Sequence, residues 1–165
     1  MSGRTTARQR RVWQNFLVLG ELVRRETARE LWEASGLSEP DFTVLARLAA
    51  APDAAMRSTE LAAVLDWDTS RMSHQLRRME QRGLVQRCRG TDTDGRAAIV
   101  SLTDEGHSAY RRSLGPHWRS IKHWFLDGIE PEQTEQLDTI LQTLLGHLQQ
   151  TQDKATQDEA SKESQ

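Results

Sequence analysis

At 165 residues, with 36% hydrophobic and 28% charged residues, the chain is the size of one domain and can bury about 60 to 70% of its unfolded surface. A net charge of -2 excludes nucleic-acid binding by global charge, so any such affinity must come from local placement of basic residues. The single cysteine, Cys88, excludes an internal disulfide. No apolar run approaches the roughly 20 residues that span a bilayer, and the basic start is not followed by a signal-peptide pattern, so a cytoplasmic protein is expected.

Apolar residues recur at helical spacing over residues 8–34, including Val12, Trp13, Phe16, Leu17, Leu22, Leu31 and Trp32. The spacing predicts one long helix, bent near Gly20 and closed by Gly36. "SEPD" at residues 38–41 has the form of a capping box with proline in the first turn and opens a second helix, which Pro52 forbids from continuing. "STELAAVL" predicts a short helix with Ser58 as its N-cap. About three residues later, Asp68 caps another helix that Gly83 stops. Two helices so joined predict a helix-turn-helix. "LVQRCR" and "AAIVSL" then predict two strands around an Asp94-Gly95 hairpin turn. A hairpin after a helix-turn-helix is a winged helix.

Thr103 is expected to cap a fifth helix, kinked at Pro116. A last helix over 131–149 places Leu137, Ile140, Leu141, Leu144, Leu145 and Leu148 on one face. The tail after residue 150 has no apolar cluster and is expected to be disordered. The expected fold is mainly α with a small β-hairpin wing: a dimerisation helix (1–37), a winged helix-turn-helix lobe (38–102), further dimerisation helices (103–150) and a disordered tail (151–165).

On the second helix of the helix-turn-helix, Met72, Leu76 and Met79 fall on one stripe at about 100° per residue. Ser70, His74, Arg77 and Gln81 fall on the opposite side, flanked by Arg71 and Ser73. That face carries the donors and acceptors a helix needs in a major groove, where arginine can bind guanine O6 and N7 together. Residues 69–89 hold six arginines against one glutamate, a local concentration of positive charge in a chain that is negative as a whole.

"STELAAVLDWDTSRMSHQLRRMEQRGLVQR" and "DTDGRAAIVSLTDEG" together resemble the MarR-type winged-helix transcriptional regulators, the second stretch through its Asp-x-Arg-Ala wing followed by Leu-Thr-x-x-Gly. The resemblance covers residues 58–106, somewhat under a third of the chain. It implies a homodimer in which the first and last helices interlock, and a wing arginine, here Arg96, laid into the DNA minor groove. It draws the recognition-helix contacts from Ser70, Arg71, Ser73, His74 and Arg77. Asp94 matches the wing aspartate that braces the wing against a recognition-helix arginine. Gly95 stands where arginine is common, so one phosphate contact is missing and the wing is expected to be more mobile.

A dimer is also expected on physical grounds, because the last helix and Val12 and Phe16 of the first offer more apolar area than one small core can absorb. Two-fold symmetry sets the recognition helices about 34 Å apart on a palindromic operator. With about 6 to 10 phosphates contacted, affinity should fall about 10³- to 10⁵-fold between roughly 50 and 200 mM salt.

The resemblance implies a repressor released by a small aromatic or phenolic effector. Of the five tryptophans, Trp13 and Trp32 on the first helix and Trp118 on the fifth could line its pocket, with Arg111, Arg24 or His107 to meet a carboxylate. The alternatives are an oxidant sensor acting through Cys88 and a winged-helix module for protein contacts alone. No phosphate-cradling glycine loop, G-x-S-x-G or H-E-x-x-H motif points to an enzyme. No histidine pair has ligand spacing, so neither metal nor cofactor is expected.

Overall fold

The computed structural model describes residues 4–89 and 98–163. It forms two compact units, Met1–Trp124 and Phe125–Gln165. In the first, α1 (Ala7–Ser35) begins at a capping box made by Thr6 and Gln9 and runs uninterrupted through Gly20 to its Gly36 cap. The helix is continuous at Gly20, which is exposed to solvent. Helix α2 (Glu39–Ala50) starts at Ser38, whose hydroxyl accepts from the Asp41 amide while the Asp41 carboxylate accepts from the Ser38 amide. This is the reciprocal cap expected from "SEPD".

Strand β1 (Ala55–Arg57) follows a short 3-10 turn and leads directly into α3 (Ser58–Val64). Ser58 is the first helical residue rather than the cap. Arg57 occupies the cap position, where the preceding strand delivers it in extended conformation; its side chain makes no capping hydrogen bond to the helix. Helix α4 (Thr69–Gln81) is capped by Asp68, whose carboxylate accepts from the Arg71 amide at 2.7 Å. Gly83 ends the helix at φ 69°, where its amide and that of Leu84 bond back to Glu80 and Met79. A side chain is disfavoured in that left-handed conformation.

Strands β2 (Val85–Arg89) and β3 (Ala98–Leu102) pair antiparallel, with Arg87 opposite Val100. β1 adds to the far side of β3, Met56 opposite Val100, giving the sheet order β1-β3-β2. The third strand escapes sequence patterning because three residues cannot display an alternation. Leu45, Leu48, Leu61, Met72, Leu76, Met79, Leu84 and Val100 form the core beneath the sheet, joined by Leu31 and Leu37 from the end of α1.

Helix α5 (Asp104–Trp124) continues past Pro116. Its start is stitched to the end of α4: Thr103 Oγ1 donates to the Gly83 carbonyl at 2.6 Å and accepts from the Gly106 amide at 3.0 Å. Farther along, α5 packs on α1, where the Trp124 indole donates to Glu30 at 2.8 Å. Residues 38–102 thus pack with α1 and α5 in one unit.

The second unit contains α6 (Pro131–Glu163). Here the disorder expected over 151–165 is corrected for residues 151–163, since the helix continues to Glu163; the last two residues lie outside the described residues. No glycine or proline follows Gly146, and Gln, Lys, Ala and Glu are good helix formers even with no apolar stripe to bury. Ile140, Leu144, Leu145 and Leu148 are all more than half exposed. No helix among the described residues is long and apolar enough to cross a membrane.

Candidate nucleic-acid interface

Helices α3 and α4 are joined by a turn in which Asp66 takes φ 51°, a left-handed conformation that aspartate tolerates better than most residues. The Trp67 amide bonds to the Ala62 carbonyl at 2.9 Å, fixing the entry into α4. Met72, Gln75, Leu76 and Met79 face the core. Ser70, Arg71, Ser73, His74 and Arg77 are all exposed, so the structure brings the five expected recognition-helix residues onto one solvent-facing surface. Asp94, Gly95 and Arg96, with the tight turn expected of them, lie outside the described residues. The two strands that lead to them are as expected.

Not every arginine of the positive segment is available to a ligand. Arg82 donates to the Asp41 carboxylate at 2.6 Å and to the Gly36 carbonyl at 2.7 Å. Arg87 donates to Glu80 at 3.0 Å through Nε, and its guanidinium holds the Glu80 carboxyl below the usual carboxylate range. Both are paired with carboxylates of the protein, whereas Arg71, Arg77 and Arg78 are exposed and have no carboxylate partner among the described residues.

Sequence reasoning missed the hub that orients α4. Asp41 is 1% exposed and also accepts from the buried Gln75 amide at 2.6 Å. One carboxylate therefore ties the start of α2 to two points on α4, and Arg82 extends the link to the end of α1. Nothing local signals this, because Gln75 and Arg82 are far from Asp41 in sequence. A second missed contact had a signal in its four-residue spacing: the Arg71 guanidinium lies over the Trp67 ring, 4.3 Å from its centroid.

The residues expected around an effector are more dispersed. Trp13 stacks with Phe16 at 5.8 Å on α1, and Trp13, Trp32 and Trp118 are each more than half exposed. A cleft of about 470 Å³ between α1 and α5 is lined by other residues, among them Glu30, Pro116, Arg119, Ser120 and His123. Arg111 lines a second cleft of about 390 Å³ with Ser108 and Arg112. Arg24 is paired with Glu39 at 3.1 Å. His117 packs on Phe42 with ring centroids 4.4 Å apart, and burial pushes its pKa down against the opposing influence of Glu39. Cys88 is exposed on β2.

A model of the MarR family matches residues 35–97, the segment that contains α2, the helix-turn-helix and β2. The transcriptional repressor MprA of Escherichia coli is 26% identical over 125 residues, covering 76% of this chain and 70% of that protein. The structure of AbsC, a MarR family transcriptional regulator from Streptomyces coelicolor, superposes with a TM-score of 0.78 at 28% identity, covering 90% of this chain and 99% of that one. Sco3205, a MarR family regulator from the same organism solved in complex with DNA, superposes with a TM-score of 0.80 at 30% identity, covering 90% and 92%. The chain belongs to the MarR family of transcriptional regulators.

Proposed function

We propose that the protein is a cytoplasmic repressor that binds a palindromic operator as a homodimer. The observation that carries this is the outward face of α4, where Ser70, Arg71, Ser73, His74 and Arg77 are exposed together opposite a buried face of Met72, Gln75, Leu76 and Met79. His74 and Arg77 read base edges, Ser70 and Ser73 contact the backbone, and Arg96 enters the minor groove with Asp94 and Gly95 shaping the wing. Repression is supported by the role named for MprA, and DNA binding by the complex of Sco3205.

The dimer is supported by the exposed apolar residues of α1, including Val12 and Phe16, and of α6, including Ile140, Leu141, Leu144, Leu145 and Leu148, which a second copy covers together with the partly exposed Leu137. Exchanging Leu144 and Leu145 for glutamate should shift the protein to monomer in sedimentation and abolish operator binding. A dimer that survives both changes overturns the assignment of α6.

Footprinting on DNA upstream of its own gene tests the whole reading. Protection should fall on two half-sites about one helical turn apart. Replacing Arg77 by alanine should erode sequence discrimination by about 1 to 3 kcal/mol, and replacing Arg96 should weaken binding mainly at AT-rich flanks. Unchanged binding by both variants overturns the site. Release by a small aromatic acid is the proposed control, with Arg111 to meet its carboxylate and Trp13, Trp32 and Trp118 as apolar surface. A titration in which phenolic acids leave both tryptophan fluorescence and operator binding unchanged removes that part.

A further inference from the structure

We propose that Trp67 is a positioning residue for DNA contact: it holds the Arg71 guanidinium by its face so that the N–H edge is presented to a backbone phosphate at the margin of the major groove. The proposal rests on the DNA-binding reading above. Arg71 is the third residue of α4, and its backbone amide is fixed by the Asp68 cap at 2.7 Å. Its guanidinium carbon lies 4.3 Å from the centroid of the Trp67 ring.

The ring is itself held. Trp67 is half-buried against the core, its amide is bonded to Ala62, and it follows the left-handed Asp66 of the turn. The turn between α3 and α4 thus supplies a held platform for a long side chain on α4. A guanidinium held over a ring through its carbon keeps its N–H donors, which lie in its own plane, free to match the oxygens of a phosphate. Among the described residues no carboxylate pairs with Arg71, in contrast to Arg82 and Arg87, which are bound to Asp41 and Glu80. The guanidinium is therefore ordered without being spent, which lowers the entropic cost of engaging DNA.

Position on the helix selects phosphate over base. At 3.6 residues per turn Arg71 lies about 60° around α4 from His74, to one side of the face centred on Ser70, His74 and Arg77. A helix lying in the groove brings that flank toward a strand rather than the base edges.

The test measures binding to the footprinted operator and to a shuffled duplex of equal composition, each across a range of salt. Arg71→Ala, which removes one contact from each protomer of the dimer, should weaken both duplexes alike and make the slope of log K against log salt shallower by about 1.8. Trp67→Leu should weaken both about two- to fivefold, and Trp67→Phe, which keeps an aromatic face, should recover most of the loss. Arg71→Lys keeps the charge without the planar stack and leaves the core untouched, so it should show a loss like that of Trp67→Leu. In the Arg71→Ala background, Trp67→Leu should cost nothing more.

A Trp67→Leu loss that persists without Arg71, or that phenylalanine fails to rescue, overturns the proposal and leaves Trp67 a support of the turn. Arg71→Ala that relaxes one base position with an unchanged salt slope overturns the phosphate assignment. Wild-type protein that binds neither duplex at about 50 mM salt overturns the DNA-binding reading itself, a result distinct from either of these.

Discussion

Asp41 offers the sharpest test of how the recognition helix is held. Replacing it by alanine removes the acceptor for the Ser38 amide at 2.9 Å, for Gln75 at 2.6 Å and for Arg82 at 2.6 Å. Gln75 is only 7% exposed, so its amide is left unsatisfied at a cost of about 1 to 3 kcal/mol. Half of the α2 capping box is lost as well, worth about 1 kcal/mol. Loss of a fully buried ion pair would cost about 3 to 5 kcal/mol, but the Arg82 side chain is 37% exposed and water takes up much of that penalty. The total should be about 3 kcal/mol, which for a chain of this size lowers the melting temperature by roughly 6 to 12 °C. Calorimetry at fixed protomer concentration measures it, since dimerisation makes the midpoint concentration-dependent. Asp41→Asn retains one acceptor oxygen and should lose about half as much. An alanine variant melting within about 2 °C of the parent would refute the hub.

Two further outcomes follow from close packing and burial. A methyl group on Gly106 would sit 1.9 Å from the Leu84 carbonyl oxygen, and because that neighbour is backbone it cannot rotate away; Gly106→Ala should lower stability by at least about 3 kcal/mol in urea unfolding, and a neutral effect would mean that α5 can lift from β2 freely. His117 has a pKa depressed mainly by burial, opposed by Glu39, with its Nδ1 buried and unpartnered among the described residues. The unfolded chain therefore takes up a proton near the ordinary value of about 6.5 that the folded state resists, so this site's stabilising contribution is present above that pH and is lost as pH falls toward the folded value. His117→Phe should reduce the difference in unfolding free energy between about pH 7 and pH 5, and an unchanged difference would remove His117 as its source.

The parts legible in the sequence are those whose causes are local. Met72, Leu76 and Met79 specify the buried side of α4 by spacing alone, Asp68 and Gly83 mark its ends, and the exposed side then follows. The Leu-Thr-x-x-Gly resemblance also finds a physical cause: Thr103 bonds to Gly83, and Gly106 must lack a side chain for α5 to pass over Leu84. The sequence shows Asp41 only as part of the "SEPD" capping box and gives Gln75 no role, because their pairing becomes interpretable only when each is beside the other, 34 positions away. β1 was hidden by its brevity, and the length of α6 by the assumption that a helix needs an apolar face.

The same long-range pairing changes what the arginine-rich segment can contribute to DNA affinity. Six arginines in residues 69–89 suggest a large electrostatic term, but Arg82 and Arg87 already have carboxylate partners, and moving them to phosphate would leave Asp41 buried without its countercharge. Each protomer is therefore expected to offer Arg71, Arg77 and Arg78 from the helix and Arg96 from the wing, or about eight cations per dimer. With Arg77 directed at a base edge, about six cations per dimer remain for phosphates, and log K should fall against log salt with a slope of about -5. A slope steeper than about -10 would require Arg82 and Arg87 to leave their partners on binding, and the recognition helix would then have to reorient on DNA because Asp41 would no longer hold it.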